Sequence, residues 1–238
     1  MKIQKLIIIP ALLVFLVLSG FNYYLQILPS EERRVPDFSG LSIAVPGEVF
    51  MVQGPTQKLV VAGTERVLDN LITEVRGGQL SIRMPNRWNF RRNDRLKVYV
   101  TMPEIKNLTL SGSARLIAES PVRAGNISIT ISGSGRVDID DFAATDLSVT
   151  ISGSGRINLG GTQNLEKSKI VISGSGRMES GSLPAENIDV NVSGSGTCRV
   201  HATSGLNVRI SGSGRVIYTG NPLIDARISG SGRVVNAN

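Results

Sequence analysis

The sequence predicts an all-β solenoid with about 20 residues in each coil. Three observations predict this fold. A block close to Ile-Ser-Gly-Ser-Gly-Arg-Val recurs through the second half of the 238-residue chain. Apolar and polar residues alternate on both sides of each block, which is the pattern of β-strands. The blocks recur at a nearly constant spacing, which is typical of repeats that stack on their neighbours to bury a shared core.

The first 28 residues predict a signal peptide or a signal-anchor transmembrane segment. Lys2 and Lys5 precede an apolar run over residues 6–18, as in a secretory signal. Extended over residues 6–28, the segment has 23 residues, enough to span a bilayer. A cleaved signal and an uncleaved anchor both fit this pattern, and residues 29–37 then form a polar linker.

Residues 38–108 predict the first coils and a cap. Strand patterns cover residues 58–63 and 95–103, and residues 72–84 form a hairpin pattern around Gly77-Gly78. Residues 65–72 have the apolar spacing of one or two helical turns, with Thr64 as the N-cap.

A loop over residues 86–95 contains the only tryptophan, Trp88. An aromatic ring among arginines is able to bind phosphate or a base, whereas solvated loops also collect arginine. Both readings stay open from sequence. The four arginines of this loop are Arg87, Arg91, Arg92 and Arg95.

The repeat proper covers residues 109–238. The first serine of the block recurs at spacings of 21, 20, 21, 20, 18 and 18 residues. A propeller blade needs about twice this length, so the period favours a solenoid. The serines are Ser111, Ser132, Ser152, Ser173, Ser193, Ser211 and Ser229.

Each complete block carries a Gly-x-Gly pair within a strand pattern. Counting by twos from Ile131 places Gly133 and Gly135 on the apolar side of a straight strand. Glycine is costly in a strand unless the backbone bends or another backbone comes close, so we expect coil corners at these pairs. The predicted corner glycines are Gly133, Gly135, Gly153, Gly155, Gly174, Gly176, Gly194, Gly196, Gly212, Gly214, Gly230 and Gly232.

An arginine follows the second glycine in most copies, and stacked coils would align these arginines in one outer column. Like charges about 5 Å apart repel by roughly 1 kcal/mol in water, so the column favours an anionic partner. The net charge of +7 points the same way. A solvated face without a ligand is the alternative. The predicted polyanion-binding residues are Arg115, Arg136, Arg156, Arg177, Arg215 and Arg233, with Arg209 and Arg227 in a second column.

Compensation of the arginine charges is expected to be uneven. Acidic residues stand two positions after the arginine at Asp138 and Glu179. Thr197 replaces the arginine in one copy and leaves a gap. The copies without an acidic residue at that position have Asn158, Ile217 and Val235 there.

Little in the sequence points to catalysis. The single Cys198 excludes an intramolecular disulfide, and the single His201 leaves no Cys/His zinc cluster. Asp138 and Asp140 come nearest to an acid pair or a calcium site, but turn chemistry explains them more simply. Nucleic acid is disfavoured, because Phe142 and Tyr218 are the only aromatics from Ser111 onward. We expect no enzyme and no cofactor.

The repeated SGSG blocks, the stretch VTMPEIKNLTLSGSA (residues 100–114) and the start FSGLSIAVPGEVFMVQG (residues 38–54) resemble the putative auto-transporter adhesin, head GIN domain family of bacterial envelope proteins. The resemblance covers residues 38–238. It implies a right-handed parallel β-helix outside the cytoplasm and supplies no catalytic residues. The resemblance implies an adhesin but no particular ligand. Together with the arginine columns it leads us to expect a binding module that presents a Ser/Arg surface to an acidic glycan, to lipopolysaccharide or to an envelope protein. A purely structural envelope scaffold is the alternative.

The last coil, residues 226–238, has no evident cap. An open sheet edge is able to pair with another strand. We therefore expect this edge to be covered by a second protomer or by another envelope protein.

Overall fold

The computed structural model describes residues 28–238. The signal or anchor predicted over residues 1–28 lies outside them except for Leu28. Within the described range, no helix has the length and apolar character needed to cross a membrane. The chain winds as a β-solenoid of about six turns with about 20 residues per coil, which confirms the predicted fold class.

The N-terminal part has seven strands and one short helix. The hairpin around Gly77-Gly78 is confirmed, and both glycines have positive φ. The elements are β1 (Ser30–Glu32), β2 (Gly40–Ala44), β3 (Glu48–Gln53), β4 (Lys58–Gly63), α1 (Glu65–Asn70), β5 (Ile72–Arg76), β6 (Gln79–Arg83) and β7 (Leu96–Met102).

The repeat region continues with strands alone. In its later coils the strands run on without a break, so that β17 and β18 each contribute to two faces. The strands are β8 (Asn107–Gly112), β9 (Arg115–Ala118), β10 (Val122–Arg123), β11 (Asn126–Gly133), β12 (Arg136–Ile139), β13 (Phe142–Ala143), β14 (Asp146–Gly153), β15 (Arg156–Leu159), β16 (Leu165–Gly174), β17 (Arg177–Gly194), β18 (Thr197–Gly212), β19 (Arg215–Thr219), β20 (Leu223–Ser229) and β21 (Arg233–Asn236).

Two stacked faces make up most of the solenoid. The long face has the order β6, β2, β8, β11, β14, β16, then the second parts of β17 and β18, then β20. The short face has the order β7, β3, β9, β12, β15, then the first parts of β17 and β18, then β19 and β21. All of these pairings are parallel, so equivalent residues of successive coils lie side by side.

The core consists of apolar columns that run along the solenoid axis. On the long face, for example, Ile131, Ile151 and Ile172 are in register and fully buried. Complete burial of one such side chain stabilises the fold by roughly 1.5–3 kcal/mol. On the short face the column of fully buried residues is Leu116, Val137, Ile157, Met178, Cys198 and Val216.

The two glycines of a block have different roles. The first turns the chain from the long face to the short face with φ in the left-handed region, +111° at Gly174. A Cβ atom on Gly174 would lie 2.7 Å from the carbonyl oxygen of Gly153 in the preceding coil. The second glycine is buried, and a Cβ atom on Gly176 would lie 2.5 Å from Cγ2 of Ile151. The straight-strand count placed both glycines inward, which is wrong for the first one because the chain already turns there.

The N-terminal end of the solenoid is closed. Strand β4 pairs antiparallel with β7, β1 pairs antiparallel with β4, and β5 pairs antiparallel with β6. Helix α1 places Val67 and Leu68 in the core. The helix is confirmed over six residues. Thr64 is the N-cap residue, as predicted, and its carbonyl oxygen accepts hydrogen bonds from the Val67 and Leu68 backbone N–H groups. Its side chain makes no capping hydrogen bond, and its buried hydroxyl oxygen has no partner among the described residues.

The opposite end of the solenoid is exposed. All seven residues of β20 are exposed, including Ile224 and Ile228, which continue the inward columns of the long face. Val235 on β21 is exposed as well.

Candidate functional site

The arginines of the repeat form one column on the short face. Register pairs Arg136 with Arg115 on one side and with Arg156 on the other, and Arg156 with Arg177. Neighbouring strands lie about 4.8 Å apart, so each coil adds one guanidinium at that step. Thr197 occupies the next position, and Arg215 and Arg233 continue the column beyond it.

Charges are compensated at the N-terminal end of this column. Glu48, in register with Arg115, forms an ion pair of 3.5 Å with Lys97. The Arg115 guanidinium forms a 3.0 Å ion pair with Asp138, which also accepts a hydrogen bond from Asn158. Asp138 therefore neutralises the arginine of the preceding coil and leaves Arg136, on its own strand, unpaired.

The expected compensation by Glu179 is wrong. Its carboxylate lies 3.1 Å from Nε of Arg199, outside the column. Register explains this choice, because Arg199 is the residue directly beside Glu179 on the next coil. The column arginine on the same strand, Arg177, is left without an acidic partner.

Most of the column is therefore uncompensated. Within residues 28–238, five of its arginines form no ion pair and no side-chain hydrogen bond. One of them has its Nε atom buried without a hydrogen-bond partner in that range, at Arg156. Desolvated guanidinium groups bind anions more strongly than solvated ones. The five are Arg136, Arg156, Arg177, Arg215 and Arg233.

The second arginine column lies on the long face, on the other side of the glycine corner. Arg209 and Arg227 are in register on β18 and β20, and both are exposed. Arg227 lies 3.6 Å from Asp225, whereas Arg209 has no ion-pair partner in the part of the chain that the structure describes. The exposed serines Ser211 and Ser229 lie along the ridge between the two columns.

Two lysines on the long face were not predicted as part of the site. Lys167 and Lys169 are exposed on β16 beside a groove of about 570 Å³, which Asp146 and Ser148 also line. One Asp146 carboxylate oxygen is buried and has no hydrogen-bond partner among residues 28–238. The signal was present in the alternation of "EKSKIVISG", which turns both lysines outward.

The loop over residues 86–95 does not offer a free aromatic surface. The Arg66 guanidinium lies 4.0 Å from the centre of the Trp88 ring and covers one face, and Phe90 contacts it edge-on. Asp94 accepts hydrogen bonds from the Arg91 backbone N–H and from Arg66, which together hold its pKa below the ordinary value. Arg66 therefore occupies one face of the Trp88 ring on which a base would stack, and phosphate binding by the arginines of this loop stays a prediction.

Of the two acidic residues considered for catalysis, Asp138 is held in an ion pair and Asp140 is an exposed turn residue. Asp138 is held by Arg115, and the Asp141 carboxylate forms an ion pair of 2.8 Å with Arg123, which lowers the pKa of Asp141. Asp140 is exposed at the turn between them. Over residues 28–238, no group of three or more His, Cys, Asp or Glu side chains is placed to hold a metal ion.

The single histidine and the single cysteine are structural. His201 is half-buried, and its Nδ1 lies 3.0 Å from the Thr219 hydroxyl. Cys198 is fully buried in the short-face core column, and burial raises the pKa of its thiol far above the ordinary value, with a smaller contribution from Glu179. A neutral buried thiol is inert.

Solved structures share this fold over most of the chain. A putative adhesin from Bacteroides fragilis superposes with a TM-score of 0.84 at 22% identity, covering 89% of this chain and 98% of that one. A putative lipid binding protein from Parabacteroides distasonis gives 0.74 at 24% identity, covering 90% and 98%. A putative adhesin from Parabacteroides merdae gives 0.67 at 17% identity, covering 90% and 98%.

No protein with a curated description matches the sequence. A family model matches residues 37–222, which is most of the described chain. The matched range contains the strands from β2 to β19, and with them every SGSG coil except the last. The chain belongs to the putative auto-transporter adhesin, head GIN domain family.

Proposed function

We propose that this protein is a non-enzymatic binding module of the bacterial envelope whose arginine columns bind a linear polyanion. The ligand class is a polymer with regularly spaced anionic groups, either the carboxylates of an acidic surface glycan or the phosphates of lipopolysaccharide. Family membership indicates an envelope or surface protein. The export or membrane anchoring that we expect from residues 6–28 is part of the same proposal.

The observation that carries the proposal is the run of in-register arginines without acidic partners. A polymer that lies along the solenoid axis meets one guanidinium for each coil, about 4.8 Å apart. Arginine suits this role, because its planar guanidinium donates paired hydrogen bonds to carboxylate or phosphate. Binding of such a ligand relieves the repulsion between neighbouring guanidinium groups, so the free energy gained by each contact includes that relief.

The gap at Thr197 divides the surface in two. Arg136, Arg156 and Arg177 form the continuous part of the column. Beyond the gap, Arg215 and Arg233 lie on one side of the serine ridge, and Arg209 and Arg227 lie on the other. We expect the continuous part to bind most strongly, since it places three unpaired charges on adjacent coils.

The test is a salt titration of binding to immobilised acidic glycan, to lipopolysaccharide and to dephosphorylated lipopolysaccharide. The triple variant Arg136→Ser/Arg156→Ser/Arg177→Ser should weaken binding about tenfold or more, or ~1.4 kcal/mol. A matched control, Arg34→Ser/Arg91→Ser/Arg92→Ser, removes the same charge from exposed arginines outside the column. The control variant should lose much less of its binding affinity.

The outcomes separate the two ligand sources from the alternative. Loss of binding after dephosphorylation identifies phosphate as the ligand group, and persistence on the glycan identifies carboxylate. If the column variant and the control lose the same affinity, binding depends on net charge alone and not on the arginine column. No binding to any of the three surfaces at low salt would leave the structural scaffold as the function.

A further inference from the structure

The last coil exposes apolar residues that the rest of the solenoid buries. Leu206 on β18 is 1% exposed, whereas its register partner on β20, Ile224, is 43% exposed. Ile210 is 2% exposed and its partner Ile228 is 44% exposed. The inward columns of the long face thus reach the end of the described chain with nothing covering them.

The backbone at this end is also open. Strand β20 pairs with β18 on one side only, and its other edge has no strand partner within residues 28–238. Such an edge carries a row of N–H and C=O groups that are free to pair with another strand. Exposed apolar side chains beside a free edge together favour the addition of a strand over solvent.

The sequence of β20 is complementary to itself. When two copies of Leu223–Ser229 are placed antiparallel with a two-fold axis through Ala226, Asp225 of each copy lies directly opposite Arg227 of the other. The same arrangement sets Ile224 opposite Ile228 on the inward side. Directly opposite residues on antiparallel strands contact each other, and opposite charges there are stabilising.

No neighbouring register has this complementarity. A shift of the pairing by two residues sets Asp225 against Asp225 or Arg227 against Arg227, and like charges directly opposite are destabilising. A shift by one residue turns the isoleucines of one copy to the outer face. The register centred on Ala226 also pairs all seven residues of the strand.

We propose that the free edge of β20 pairs with the same edge of a second copy of this chain, antiparallel and centred on Ala226. The long face then continues from one solenoid into the other, and the exposed isoleucines of both copies become a shared core. The contact is isologous, so it closes as a dimer and does not continue into a filament.

A charge swap tests the register, with no polyanion present. The unmodified chain should be dimeric by analytical ultracentrifugation at micromolar concentration. Asp225→Arg and Arg227→Asp should each raise the dimer dissociation constant tenfold or more, because each variant sets like charges opposite each other. An equimolar mixture of the two variants should dimerise again, since every opposed pair is then oppositely charged. Both side chains are more than half exposed, at 55% and 72%, so neither change threatens the fold.

Cross-linking tests the position of the axis. Directly opposite Cα atoms lie about 4.5–5.5 Å apart, within reach of a disulfide. Ala226→Cys should therefore form an intermolecular disulfide on mild oxidation, whereas the control Ile224→Cys should not. A chain that is monomeric at high concentration, a mixture that does not dimerise, or equal cross-linking at both positions would overturn the proposal.

Discussion

The two ends of the solenoid differ in almost every respect. At the N-terminal end, antiparallel strands and helix α1 close the core, and the nearby column charges Glu48 and Arg115 are paired. At the C-terminal end, the side chains on both faces of β20 are exposed, and Arg215 and Arg233 have no ion-pair partner in the described chain. The core of the solenoid is thus covered at its N-terminal end and exposed at its C-terminal end.

The difference shows what a parallel repeat does not provide by itself. Each coil buries its apolar residues against the next, so a stack of identical coils always leaves one core surface and one sheet edge at each end. At the N-terminal end this core surface is covered by elements that lack the repeat, namely α1 and the antiparallel strands. At the C-terminal end of the described chain the repeat continues to the last strands, and the apolar residues and the edge of β20 stay exposed there.

The largest expected difference in stability is between alanine variants of two leucines, one at each end of the solenoid. Leu68→Ala in α1 should lower the free energy of unfolding by about 2–5 kcal/mol, because the side chain is 7% exposed and its loss leaves a cavity. Leu223→Ala, at a residue 85% exposed, should change it by less than about 0.5 kcal/mol. Urea unfolding at a concentration where the chain is monomeric measures both. Equal losses would mean that the two ends are equally covered.

A smaller difference in stability is expected between the alanine variants of two corner glycines. Gly112 and Gly174 both have positive φ, so an alanine at either costs about 1–2 kcal/mol in backbone strain. Only at Gly174 would the added Cβ meet the preceding coil, and Gly112 has no atom within 4 Å of that position. Gly174→Ala should therefore lose about 1–3 kcal/mol more than Gly112→Ala.

The comparison of these two variants locates the start of the close-packed stack. Thermal unfolding monitored by circular dichroism gives the difference directly. A Gly112→Ala variant as unstable as Gly174→Ala would mean that the coil containing β2 packs against the corner as tightly as the SGSG coils do.

The smallest effect concerns Cys198, two coils before the open end. Burial holds the pKa of the folded thiol above its ordinary value of 9.0, so the unfolded chain loses this proton first as the pH rises. Stability contributed by the thiol is complete below pH 9.0 and should fall by ~1.4 kcal/mol per pH unit above it. Cys198→Ala should lack this component when unfolding is measured at several alkaline pH values. Identical slopes for the two chains would mean that the open end exposes the thiol to solvent.

Much of the repeat was predictable because its information is local. Alternation about Ile131 identifies the inward residues. Because the blocks have nearly equal length, equivalent residues of successive coils lie side by side, so the arginine column could be predicted from the sequence. The glycine pair predicted the corner for the same reason, since only glycine fits a left-handed bend against a neighbouring backbone.

The remaining features depend on residues far apart in sequence. Asp138 binds Arg115 of the preceding coil, and the Trp88 ring is covered by Arg66 from helix α1. No periodicity encodes either contact. The missing side-chain cap at Thr64 has the same origin, because packing of α1 against β4 decides that helix and intrinsic capping preference does not.

The order of the first strands affects how the chain acquires its structure. Strand β2 lies between β6 and β8, and β3 lies between β7 and β9, so the second and third strands of the chain are interior strands of their faces. Pairing over such separations must first overcome loop-closure entropy and is slow. A nascent chain therefore cannot complete the pairing of β2 and β3 until residue 118, the end of β9, is available. We therefore expect the strands between residues 30 and 118 to form together, before the later coils pair onto them.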